Sequence, residues 1–335
     1  MTQEGLPSTG RPPGLRGSGE RPEGRAPANS SRDGPAPERA RPRRWSVVVV
    51  NYEAGEQLVG CVLSLLADTS AGGAPEVVVV DNGSTDGSAE ELAAALPGVR
   101  LVRPGTNLGY ATAANRGIAA TTAPVVAVCN PDIELEPGTA AALLARFDAE
   151  PDLGALGPMV RNRDGSVYPS ARSVPTVGDA VGHGVFGLVR PRNRFTRRYR
   201  ELDADPNRAR DSDFVSGAAI WLRRAALEAI DGWDEGYFMY VEDVDLCWRL
   251  RRAGWRVAYE PGGSVVHVQG ASTARHPYRM ILEHHRSLAR FAAKRWHGVK
   301  RLLLVPAAAF LAVRAACAMG AHALGWRGRQ PRVSG

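Results

Sequence analysis

The chain has 335 residues, of which 44% are apolar, 23% charged and 7% aromatic, with a formal net charge of +7. That apolar share excludes a disordered chain and a multi-span membrane protein, and the length suffices for one large domain or two small ones with a sizeable core. The charge is uneven: residues 1–44 carry +4, residues 275–335 carry +11 and residues 45–274 carry −8. An acidic body with a basic tail argues against a general nucleic-acid binder and fits a metal-using or neutral-substrate centre beside a cationic contact surface.

Residues 1–44 are rich in Arg, Pro, Gly, Ser and Glu and have no apolar periodicity, so they are expected to stay disordered. No apolar core follows the early charges, so they do not read as a secretory signal. Cys61, Cys129, Cys247 and Cys317 lie too far apart for CxxC pairs, which argues against a zinc ribbon or a disulfide framework and suggests a reduced, cytoplasmic setting.

Order is expected from Trp45. The run WSVVVVN (45–51) reads as a buried strand, residues 54–67 have helical spacing, and EVVVVD (76–81) reads as a second buried strand. The turn NGSTDGS follows, then a helix over 88–96, a strand over 99–103, a helix over 108–120 and a buried strand PVVAVCN over 124–130. Val-rich runs, apolar on both faces, predict an α/β doubly wound, mostly parallel sheet flanked by helices, with ligands at the carboxyl ends of its strands. Further on, strands are expected near 154–160, 218–224, 255–259 and 264–268, with a helix starting near Val241. The Arg-rich stretch 190–200 is read either as reaching a diphosphate ligand or as a flexible surface loop. From 277 the chain is helical by composition.

Polar residues follow two of the buried strands: Asp81 and Asn82 in VVVVDNGSTDG, and Asn130 and Asp132 in VAVCNPDIEL. Each set fits either a turn or a ligand site. Asp81 can accept the imide N–H of a uracil or thymine ring, and Asp132 offers a hard oxygen for magnesium or manganese. No GxxxxGK(S/T) loop is present and no GxGxxG follows the first strand, which sets aside kinases, P-loop enzymes and standard dehydrogenases. On the helix from Val241, Asp243 shares a stripe with Leu246, Cys247 and Leu250, while Glu242, Asp245, Arg249 and Arg252 form what reads as a solvated face. Asp243 is either a helix-capping acid or a general base kept ionised by the helix dipole. His267 is either a structural histidine or a metal ligand.

Together these motifs resemble the inverting glycosyltransferases of family 2, which have a GT-A fold, over residues 45 to 297. VDNGSTDGS is similar to that family's nucleotide loop, NPD (130–132) to its metal-binding DxD with Asn in the first place, and YFMYVEDVDLCWRLRRAGW to its acceptor-side helix. The resemblance implies that Asn51, Asp81, Asn82, Asp86 and Asn130 bind the donor nucleotide. It implies that Asp132 and His267 hold a divalent metal, Mg or Mn, and that Asp243 is the catalytic base, with Gly217, Trp233 and Glu242 on the acceptor side. TNLGYATAANR, GALGPMVRNRDGSVYPSAR and FVSGAAIWLRR resemble a narrower group, the actinobacterial rhamnosyltransferases of the cell-wall linker. That implies transfer of L-rhamnose from dTDP-β-L-rhamnose to a polyprenyl-diphosphate-linked GlcNAc. Another donor and acceptor within the family, or a non-catalytic sugar-nucleotide-binding scaffold, are the competing readings; a sugar-nucleotide pyrophosphorylase lacks support because NYEAGEQ (51–57) holds no basic phosphate loop.

The expected organisation is a tail (1–44), a GT-A domain (45–275) and a basic helical extension (276–335). Within the last, LLLVPAAAFLAV (302–313) is twelve apolar residues before Arg314, short of the roughly 20 a spanning helix wants. With Lys300, Arg301, Arg327 and Arg329 around it, the segment reads as an interfacial helix on an anionic membrane surface, peripheral to the inner face of the plasma membrane, or as a helix packed on the body.

Overall fold

The computed structural model describes residues 43–186, 190, 193–267 and 277–324. The disorder expected before residue 43 lies outside the described residues, as do Arg327 and Arg329. The first half alternates as expected: β1 (Trp45–Asn51), α1 (Gln57–Ala67), β2 (Glu76–Asp81), α2 (Ser88–Ala95), β3 (Arg100–Val102), α3 (Tyr110–Ala119) and β4 (Val125–Cys129). There follow β5 (Ile133–Leu135), α4 (Thr139–Ala149), β6 (Leu153–Asn162), β7 (Val167–Tyr168), β8 (Ala171–Arg172), α5 (Val177–Phe186) and α6 (Arg194–Tyr199). The chain continues through β9 (Arg210–Asp211), β10 (Phe214–Val215), β11 (Ala219–Arg223), α7 (Arg224–Glu228), α8 (Glu242–Arg252) and β12 (Arg256–His267). It ends in α9 (Pro277–Arg295), a 3-10 turn (Gly298–Leu303) and α10 (Leu304–Ala323).

The main sheet runs β3-β2-β1-β4-β11-β6-β12-β5. β3, β2, β1 and β4 are mutually parallel, β11 is antiparallel to both β4 and β6, β12 is parallel to β6, and β5 is antiparallel to β12. The mostly parallel sheet is therefore present, with β11 and β5 reversed. Alternation in β1 feeds two cores: Val47 and Val49 pack with Leu58, Val62 and Leu143 on one face, and Val48 and Val50 with Tyr110, Ala114 and Leu246 on the other. Each fully buried Val contributes roughly 1.5–3 kcal/mol, which is why a run apolar on both faces specifies an interior strand.

Two expectations are revised. The two short strands at 255–259 and 264–268 are one strand, β12, whose register on β6 shifts between Glu260 and Ser264. Pro261, Gly262 and Gly263 fill the shift, and a bulge is where a proline without an N–H is tolerated in a sheet. The Arg-rich stretch forms α6, capped by Asn193, whose side chain accepts from the N–H groups of Phe195 and Thr196. In the helical extension, α9 buries His285, Ser287 and Phe291.

α10 differs from α9. The helical run Gly298–Ala323 has 26 residues, and its most apolar 18-residue window has a mean hydropathy of 2.1, long and apolar enough to cross a membrane by length and composition, so the shortness expected of this segment does not hold. Only 6% of its most apolar window is buried, and Val305 (77% exposed) and Val313 (64%) face away from the body. A helix fully packed on the body would cover those side chains.

Candidate active site

Strand directions gather the polar residues on one edge. β1 and β2 end in register, Asn51 beside Asp81, and β4 ends next to β1 with Cys129 beside Val49. β11 runs the other way, so it begins at this edge: the Asn130 N–H donates to the Ala218 carbonyl at 2.9 Å. β12 ends here too, with His267 paired to Ile133, the residue after Asp132.

On the donor side, Asn51 is fully buried and its Nδ2 donates to Asp81 Oδ1 (3.1 Å), Ser84 Oγ (3.1 Å) and Ser88 Oγ (3.0 Å). Asn82 spans to the 106–109 loop, donating to Asn107 Oδ1 (3.0 Å) and the Gly109 carbonyl (3.2 Å) while accepting from the Leu108 N–H (2.9 Å). Asp86 accepts from the Gly55 N–H (2.8 Å) and from the Ser88 hydroxyl (2.7 Å). Burial pushes its carboxyl up, but these hydrogen bonds outweigh that and hold it below its ordinary value. Asn51, Asn82 and Asp86 thus brace the loop that shapes the pocket around Asp81. Glu53, which sequence reasoning passed over, joins them: its Oε1 accepts from the Thr85 N–H (2.7 Å) and hydroxyl (2.9 Å).

Next along the edge, His267 Nε2 lies 3.0 Å from Asp132 Oδ1 and 3.4 Å from Asn130 Nδ2. An imidazole nitrogen and a carboxylate oxygen this close together form a donor set whose chemistry fits a hard or borderline divalent ion. Among the described residues no third His, Cys, Asp or Glu gathers with them. The pair therefore suits a cation that takes its other ligands from a diphosphate and water.

The acceptor side is built around Asp243. Gly217 N–H donates to its Oδ2 at 3.0 Å, and the Val244 N–H to its Oδ1 at 2.8 Å. Gly217 suits this close approach, because a Cβ there would stand 3.3 Å from the Asp243 Cβ. Tyr110, another residue not singled out from sequence, donates from its hydroxyl to the Gly217 carbonyl at 2.8 Å. Tyr240 and Val241, just before α8, both have positive φ (68° and 67°), a conformation costly for a β-branched residue and kept only where surrounding contacts enforce it. One such contact is the Tyr110 N–H, which donates to the Phe238 carbonyl at 2.8 Å.

Glu242 is buried, and its Oε2 has no hydrogen-bond partner among the described residues. Burial and the charge of Asp243 push its carboxyl up to about 8. Burial raises Asp243 as well, but the Gly217 N–H and the Arg172 charge oppose the rise. Within the pair Glu242 takes the proton and Asp243 keeps the charge, an assignment set by the surroundings.

Two expectations about this side change. Asp245 and Arg249 are not a solvated face: Asp245 is fully buried and accepts from Arg249, Lys294 and the Tyr237 hydroxyl. α9 covers that stripe, which the helix's own periodicity cannot reveal. Trp233 is 1% exposed with its ring edge-on to Tyr110, so it backs the acceptor side from the core and does not line it.

Comparison with known proteins bears on the fold and the family. Residues 46–231 match the sequence model described as Glycosyl transferase family 2. The chain is 41% identical over 263 residues to the N-acetylglucosaminyl-diphospho-decaprenol L-rhamnosyltransferase of Mycobacterium tuberculosis, covering 75% of this chain and 85% of that one. It is 31% identical over 192 residues to a pre-mycofactocin glycosyltransferase of the same organism, covering 57% and 37% of the two chains. Among solved structures, GalNAc-T7 with UDP, GalNAc and Mn2+ superposes with a TM-score of 0.50 at 17% identity, over 68% of this chain and 43% of that chain, a likeness of fold. With the parallel half-sheet, the polar strand ends and a family match across more than half its length, this chain belongs to glycosyltransferase family 2 and is a glycosyltransferase of GT-A fold.

Proposed function

We propose that this enzyme transfers L-rhamnose from dTDP-β-L-rhamnose, with inversion, to N-acetylglucosamine carried on a polyprenyl diphosphate, at the inner face of the plasma membrane in cell-wall linker synthesis. The observation that carries the reading is Asp243: a half-buried carboxylate fixed by the Gly217 N–H on the edge where Asp132 and His267 also meet. Identity of 41% across 85% of the mycobacterial rhamnosyltransferase supports the choice of donor and acceptor.

Asp81 accepts the imide N–H of the donor's pyrimidine, in a loop braced by Asn51 and Asn82. Asp132 and His267 would hold a Mg or Mn ion, which would offset charge on the departing nucleoside diphosphate. Asp243 takes the proton of the acceptor hydroxyl as that oxygen attacks the anomeric carbon from the face opposite the leaving group. The C–O bond to the diphosphate breaks, and dTDP leaves with the electron pair. Glu242, neutral beside it, leaves the base's charge undivided. α10 lies against the anionic leaflet with Lys300 and Arg301 at its start, beside the lipid-linked acceptor.

The test is a screen of dTDP-, UDP- and GDP-sugars for nucleoside diphosphate release, with and without a polyprenyl-diphosphate-linked GlcNAc. Acceptor-stimulated dTDP release from dTDP-rhamnose is the expected result, abolished by EDTA and restored by Mg or Mn. Transfer from a UDP- or GDP-sugar alone overturns the donor assignment, and indifference to EDTA removes Asp132 and His267 from the metal.

A further inference from the structure

Three arginines from separate elements gather around α5. Arg172, at the end of β8, donates from Nε to the Pro169 carbonyl (2.8 Å) and from Nη2 to the Tyr168 hydroxyl, and its charge reaches Asp243. Arg200, just after α6, has Nε and Nη1 buried with no hydrogen-bond partner among the described residues. Arg314, from the middle of α10, donates to the Gly184 carbonyl (3.3 Å) and stands 2.8 Å from His285 Nε2. His183 sits among them, its Nδ1 2.8 Å from Thr196 Oγ1 and its ring centroid 5.0 Å from that of Tyr199. Burial and the charges of Arg200, Arg314 and Arg172 push this histidine down to about 4, so it adds no charge of its own near neutral pH.

Anionic compensation is sparse among the described residues. The acids of this layer are engaged elsewhere: Asp179 with Thr176 and Arg198, and Glu201 with Ser173 and Arg210. Among the described residues neither Arg200 nor Arg314 has a carboxylate partner, and Arg172 has Asp243 nearby as the only acid among its main electrostatic neighbours. A guanidinium buried without an anion or a full set of acceptors is unfavourable, and a buried apolar side chain of similar volume would serve the fold better. Such a group is retained where it has a ligand to meet. Arginine's planar fork matches phosphate oxygens bidentately, and several guanidinia around one spot match an anion carrying more than one charge. Arg314 also ties this spot to α10, whose exposed Val305 and Val313 offer apolar surface to a hydrocarbon chain.

We propose that Arg172, Arg200 and Arg314 form the receptor for the diphosphate of the lipid-linked acceptor, with the lipid chain running along α10. This rests on the polyprenyl-diphosphate reading above and adds the residues that recognise it. The cluster's connection to Asp243 through Arg172 places the diphosphate end of the acceptor toward the base.

The full-length protein, its donor site filled with dTDP, is titrated with farnesyl diphosphate, inorganic pyrophosphate and phosphatidylglycerol vesicles. Farnesyl diphosphate is expected to bind more tightly than pyrophosphate, and Arg200→Met or Arg314→Met to raise its Kd about ten-fold or more, as for lost charge-assisted hydrogen bonds. dTDP affinity stays unchanged, and Arg200→Met melts no lower than the parent, because it removes an uncompensated buried cation. Unchanged farnesyl diphosphate affinity in both variants overturns the site. So does equal affinity for pyrophosphate, which would mark a free-anion site, or a loss confined to vesicle binding, which would mark a headgroup contact. A fall in melting temperature for Arg200→Met makes that guanidinium structural and also overturns it. The two readings separate cleanly: farnesyl diphosphate binding that depends on Arg200, without rhamnose transfer, sinks the proposed reaction alone. Transfer with an unchanged KM for the lipid acceptor in Arg200→Met sinks this site alone.

Discussion

Asp243 and Glu242 are adjacent carboxyls on the first turn of one helix, yet their surroundings divide the labour. Asp243 has two N–H donors and Arg172 nearby, whereas Glu242 has burial and a neighbouring negative charge. Asp243→Asn is expected to fold and bind donor but to lose about 10²–10⁴-fold in kcat, the usual worth of a general base, measured from initial rates beside a donor titration. Unaltered kcat would move the base elsewhere. Glu242 supplies a prediction about stability. In the unfolded chain it ionises near its ordinary value, roughly 4.3, while in the folded protein it keeps its proton up to about 8. Between those values the native state binds the extra proton, so this group lowers stability as pH rises through the window. Glu242→Gln, neutral throughout, is expected to match the parent's melting temperature near pH 4 and to exceed it by a margin that grows up to about pH 8. A constant margin across that range would mean Glu242 ionises freely in the fold.

Between elements, α8 and α9 are locked by charge. Asp245 has no exposed side-chain surface and receives Arg249 Nε at 2.7 Å and Lys294 Nζ at 2.5 Å. Lys294 also reaches Asp234 at 2.7 Å, and Arg290 reaches Asp234 at 2.9 Å. Burial opposes ionisation of Asp234, but Lys294, the Gly236 N–H and Arg290 outweigh it and hold the carboxyl down to about 2. Asp234 lies in the loop that leads into α8, so the cluster fixes the segment that presents Asp243. Asp245→Ala leaves Arg249 without its carboxylate and Lys294 with Asp234 alone. It is expected to cost about 3–5 kcal/mol in urea unfolding, the range for breaking a buried pair. A loss below about 1 kcal/mol would fit the exposed-pair regime and return this stripe to solvent.

At the scale of the whole molecule, an acidic body carries the candidate site, and the proposed membrane contact falls to the basic C-terminal region. α10 exposes Val305 and Val313 on a helix with cations at its start, the pattern of a surface that meets an anionic leaflet. The double variant Val305→Asp with Val313→Asp is expected to pellet several-fold less with phosphatidylglycerol vesicles and to keep dTDP affinity. Added salt should weaken the parent's binding by screening its juxtamembrane cations, each contributing about 1 kcal/mol. Vesicle binding indifferent to both changes would remove α10 from the membrane.

The chain's own pattern determined the alternating half-sheet, because a strand apolar on both faces can only be interior, and it determined that Asp81, Asp132 and His267 follow or close strands. That information is local: period, burial and turn chemistry are written within a few residues. Tertiary structure decided which stripes of α8 are covered, since α9 arrives from 49 positions away to bury Asp245. It also decided that Tyr110 holds Gly217 beside Asp243, that Arg172 lends Asp243 its charge, and that Arg200 has buried nitrogens without acceptors among the described residues. Such facts depend on which distant surfaces meet, and a side chain's partner across the fold leaves no trace in the spacing of its neighbours.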